Sequence, residues 1–67
     1  MIVTFTSMID SCTEDGVVRF VDKPGGYGIP NEPEDIGILI RSSFHAGEPI
    51  VIAYDDSNYR IVDARPA

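Results

Sequence analysis

Cysteine is nearly absent: Cys12 stands alone among 67 residues, which excludes an internal disulfide and any site built from several thiolates. Small secreted domains generally depend on such staples, so their lack points to a reducing, cytoplasmic setting. Histidine also occurs once, as His45. No ligand pair stands at helical i, i+4 spacing, and no metal site is expected. Basic residues are scarce, five Lys and Arg against eleven Asp and Glu, for a net charge of −6. Phosphate backbones are gripped by Lys and Arg, so direct binding of nucleic acid is not expected. No apolar run approaches the roughly 18 residues of a membrane span, and no basic stretch followed by an apolar core and cleavage site opens the chain. Neither a membrane anchor nor export is expected, and no cofactor is implied.

What is present suffices for one small domain over residues 1–67. The apolar fraction is 43% and the charged fraction 24%, spread without long like-charge blocks; such a chain folds rather than staying disordered. A core of this size only just offsets chain entropy, so a deep substrate pocket is not expected.

Met1 to Ile9 alternates Val3, Phe5, Ser7 and Ile9 against Ile2, Thr4, Thr6 and Met8, the period of a strand. A helical turn over Ser7–Cys12 is the alternative for its end. Asp10–Gly16 is polar and closes on Asp-Gly, the connection of a hairpin into a second strand, Val17–Val21. Asp22–Asn31 then holds three of the six glycines and two of the five prolines. It reads as an open loop whose glycines set a path that displays Tyr27 and Ile29.

Asn31-Glu32-Pro33-Glu34-Asp35 has the features of a helix start, with proline in the first turn and carboxylates beside the positive end of the dipole. Ile36, Leu39, Ile40 and Phe44 make one apolar stripe, and Gly47 ends the helix. Gly37 within it points to close packing. Ile50–Tyr54 and Tyr59–Asp63 flank Asp55–Asn58, and a turn centred on Asp56 and Ser57 pairs Tyr54 with Tyr59, Ile52 with Ile61 and Val51 with Val62. The expected fold is α+β, in the order β-β-α-β-β: a four-stranded, mostly antiparallel sheet with one helix on one face. The other face lacks cover, leaving Val17, Val21, Val51 and Val62 exposed. That face or a sheet edge is the expected route to a homodimer.

Tests for known chemistry fail in turn. An EF-hand starting at Asp10 needs glycine sixth and glutamate twelfth, where Asp15 and Val21 stand. Gly25-Gly26-Tyr27-Gly28 is neither a P-loop nor a dinucleotide turn, and Glu32, Glu34 and Asp35 repel phosphate from the helix start. Cys12 and His45 are the only pair from which a thiol nucleophile and its base could come, on a loop and at a helix end. No nucleophile, base and orienting acid are recognisable together, so an enzyme is not expected.

Gly16-Val17-Val18-Arg19-Phe20-Val21-Asp22-Lys23-Pro24-Gly25-Gly26, followed by an amphipathic helix with an acidic start, resembles the opening of HicB-type antitoxins. The likeness covers Gly16 to Phe44, departs at the final hairpin, and implies a toxin-neutralising relative. In kind rather than motif, a compact acidic domain also resembles phage-encoded, anti-CRISPR-like inhibitors that present carboxylates in place of nucleic-acid phosphates. The leading expectation is a non-enzymatic protein that occludes a site on a larger, basic partner. Its expected contacts are Tyr27, Ile29, Glu14, Asp15, Glu32, Glu34, Asp35, Asp55 and Asp56, with Asp10 beside them. The alternatives are an oligomeric, sponge-like module holding a small ligand at Tyr27, and a phage structural or assembly protein.

Overall fold

The computed structural model describes residues 1–67. Six strands and one helix follow in the order β1 (Ile2–Ser7), β2 (Ile9–Cys12), β3 (Val17–Phe20), β4 (Gly26–Gly28), α1 (Glu34–Ala46), β5 (Ile50–Asp55) and β6 (Arg60–Pro66). The α+β class holds, but the sheet is six-stranded and mixed, in the order β1-β5-β6-β4-β3-β2. Two features account for the change from four antiparallel strands. The first strand divides at Met8, with β2 in place of a helical turn, and the central loop contributes β4, which pairs antiparallel with β3 and parallel with β6.

Only Met8 separates β1 from β2, yet they stand at opposite ends of the strand order. Six strands about 4.8 Å apart would place the edges of a flat sheet about 24 Å from one another, whereas two Cα–Cα steps span at most about 7 Å. The sheet therefore curls until its ends meet, as a partly open barrel. The joint is pinned where β3 ends: the Val21 amide donates to the Met8 carbonyl at 3.0 Å and the Asp22 amide to Ser7 Oγ at 3.1 Å. Ser7 is buried, and its hydroxyl donates in turn to the Met8 carbonyl. Curling replaces the expected flat, uncovered face. Val21 and Val62 are exposed, but Val17 and Val51 are half-buried.

Strand alternation sends Phe5, Val18, Phe20, Tyr27, Ile50, Ile52, Tyr54 and Ile61 into one core. Two bulges let this happen. Val62 is the extra residue opposite Ala53 and Tyr54, so Ile61 and Ala64, three apart, both face inward; Asp10 does the same for Ile9 and Cys12. The first bulge and a longer loop also shift the final hairpin. Tyr54 pairs with Ile61, Ile52 with Ala64 and Val51 with Arg65, not with Tyr59, Ile61 and Val62. Tyr59 is left in the loop at φ 56°.

Helix α1 begins later than its acidic start suggested, with Pro33 as the cap residue and no side-chain cap. It buries Ile36, Gly37, Ile40 and Ser43, while Leu39 and Phe44 are half-buried. The face turns toward its small residues because Ile29 presses close: a Cβ on Gly37 would lie 3.4 Å from Ile29 Cγ2. Gly47 ends the helix in the left-handed conformation at φ 68°, its amide returning to the Phe44 carbonyl.

Candidate functional site

The expected contact residues part into two groups. Tyr27 and Ile29 are only 3% and 8% exposed and belong to the core. The expectation that glycines display them is thus corrected, for a physical reason: β4 is a sheet strand, so alternation turns Tyr27 inward opposite Val18. Four rings surround Tyr27, those of Tyr54 at 4.8 Å, Phe20 at 5.4 Å, Phe5 at 5.8 Å and Tyr59 at 5.9 Å. Its hydroxyl donates to the Pro24 carbonyl at 3.3 Å. Burial, then neighbouring Tyr54, pushes the phenol above its ordinary value.

The carboxylates behave otherwise. A groove of about 530 Å³ runs between the β2–β3 loop, the end of β4 and the exposed side of α1, and Glu14, Asp15 and Glu34 line it. A second, of about 320 Å³, lies between the helix approach and the β5–β6 loop and is lined by Glu32 and Asp55. Pro30 and Arg60 line both, so the two adjoin. Five carboxylates from three separate stretches of chain thereby converge on one side. Asp35 and Asp56 line neither groove, and Asp10 lines a different one with Arg19 and Lys23.

Local bonds shape this acidic side. Asp55 Oδ1 accepts from the Ser57 amide at 2.9 Å and the Ser57 hydroxyl at 2.7 Å, which holds the β5–β6 turn and lowers the Asp55 carboxyl below its ordinary value. The Thr13 hydroxyl beside Asp15 lowers that carboxyl as well. The N-terminal amine lies 3.1 Å from Asp56 and 3.9 Å from Asp55, and the bond to Asp56 raises the amine's pKa. A carboxyl whose folded pKa is depressed stabilises above its unfolded value and loses that contribution as pH falls through the folded one. The β5–β6 turn is therefore expected to loosen below about pH 4. Protection factors at the Ser57 and Tyr59 amides, with the intrinsic pH dependence of exchange divided out, check this: they should fall with acid in the wild type and stay level in Asp55→Asn.

The two arginines of the first groove were not legible as site residues. In the sequence Arg41 lies off the helix's apolar stripe and Arg60 sits inside the final strand pattern. Arg60 lies over Gly28, its Cγ 3.5 Å from where a Cβ would be, and Arg41 Nη1 donates to the Gly37 carbonyl at 3.5 Å. Neither pairs with a carboxylate, since the only ion pairs are those of the N-terminal amine.

Cys12 and His45 do line one small groove, with Thr13, Glu14, Arg41 and Phe44. Neither side chain makes a hydrogen bond, so no base is held against the thiol. No three His, Cys, Asp or Glu side chains are grouped so as to hold a metal ion, and no helix is long and apolar enough to cross a membrane. The sequence matches no protein-family model and no curated protein, and the fold matches no solved structure.

Proposed function

We propose that this protein is a non-enzymatic binding module that docks its acidic side on a basic surface of a larger protein and occludes it. The observation that carries the reading is the convergence of Glu14, Asp15, Glu32, Glu34 and Asp55 around two adjoining grooves. Complementary charge of this kind speeds and selects association. In its specific form, the carboxylates stand where the partner expects nucleic-acid phosphates, the mode of an anti-CRISPR-like inhibitor. Tyr27 and Ile29 have no part in docking, because both are core. A small ligand stacked on Tyr27 is disfavoured on the same ground.

Affinity capture from a host lysate followed by a salt titration of the captured complex tests the reading. A stoichiometric partner with a basic surface should be retained at low ionic strength and released as salt shortens the screening length from about 10 Å at 0.1 M to about 3 Å at 1 M. A partner held equally at both salts rules out charge-led docking.

A further inference from the structure

The acidic side is not uniformly acidic, and its exceptions are placed. Arg41 and Arg60 line the same groove as Glu14, Asp15 and Glu34, yet form no ion pair with them. Both are exposed, and each places Nη1 close to a glycine of the groove. A Cβ on Gly37 would come within 3.0 Å of Arg41 Nη1, and one on Gly28 within 3.8 Å of Arg60 Nη1. Apart from the Arg41 Nη1 bond to the Gly37 carbonyl, these guanidiniums have no partner and present donors suited to a planar anion. The surrounding carboxylates make the groove hostile to a free anion. They suit one that arrives flanked by cations.

We infer that the groove takes an extended peptide segment in which a carboxylate side chain is flanked by lysines or arginines. The carboxylate enters between Arg41 and Arg60, and the flanking cations meet Glu14, Asp15 and Glu34 on one side and Asp55 beyond Arg60. A peptide suits the shape: the first groove continues past Pro30 and Arg60 into the second, a path longer than one amino acid. This rests on the docking proposed above and adds what that docking lacks, a means of telling one basic surface from another.

The test compares two synthetic octapeptides, one of alternating lysine and aspartate and one of lysine alone, titrated against the isotope-labelled protein at low salt. The alternating peptide should bind saturably and move the Gly28 and Gly37 amide signals together with the Arg41 and Arg60 side-chain N–H signals. Arg60→Gln should weaken it about tenfold, the worth of a charge-assisted hydrogen bond, without weakening octalysine. Gly37→Ala, which keeps every charge but displaces the Arg41 guanidinium, should weaken it too. Octalysine binding with no binding of the alternating peptide overturns this inference and leaves the acidic docking side standing. Alternating-peptide binding that Arg60→Gln and Gly37→Ala leave unchanged also overturns it. If neither peptide binds, both readings fail.

Discussion

Tyr27→Ala is expected to unfold the protein in much of the population, rather than to weaken partner binding in a folded one. Removing a buried aromatic side chain costs about 3–5 kcal/mol. A 67-residue domain has only about 3–10 kcal/mol to lose, at 0.05–0.15 kcal/mol per residue. The cost falls at the high end here because Tyr27 contacts four other rings and leaves a gap among them. Tyr27→Phe keeps the ring and gives up only the bond to the Pro24 carbonyl, worth about 1 kcal/mol. Urea titrations of both variants decide the matter. An alanine variant with a wild-type midpoint would put Tyr27 outside the core.

Ile40→Ala should be the second most damaging change. Ile40 has no exposed surface and is the residue by which α1 is anchored over the core. Loss of a buried isoleucine costs about 2–5 kcal/mol, depending on how far its surroundings collapse. Ile38, two residues away on the groove side, is 57% exposed, and its replacement by alanine should cost little. The contrast separates helix anchoring from helix propensity, since alanine is the better helix former at both positions. Thermal melts of the two variants provide the comparison, and equal shifts would contradict the placement of the helix.

The elements legible in the sequence are those whose period persists. Val3, Phe5 and Ser7 alternate as a strand should, as do Ile50, Ile52 and Tyr54, and the stripe from Ile36 to Phe44 has the helical repeat. The fold's main departure, the curl at Met8, breaks no period. Ser7 and Ile9 both face the core on either side of the bend, so the pattern reads through it as one strand. Strand β4 is three residues long, two of them glycine, too short for any period to show and rich in the residues that mark loops. The hairpin register differs from the like-with-like pairing because that pairing has no place for a bulge, and Val62 is one.

The candidate site divides along the same line. That the chain is rich in carboxylates is legible from composition. Which of them gather is not, because Glu14 and Asp55 lie far apart in sequence and come to one side only once β4 pairs with β6. Nor was there a local signal for Arg41 and Arg60, whose placement depends on Gly37 and Gly28 lying beneath them. The burial of Tyr27 has a consequence for the whole reading. It moves the proposed docking surface from the central loop to the grooves beside it.

The most direct test of that claim is capture of partner by the wild-type protein against Glu14→Gln/Asp15→Asn/Glu34→Gln, three changes at exposed positions that leave the core alone. The triple variant should keep the wild-type melting temperature within a few degrees and lose most of the partner at low salt. A variant that stays folded and captures as much partner as wild type would show that docking does not use this groove.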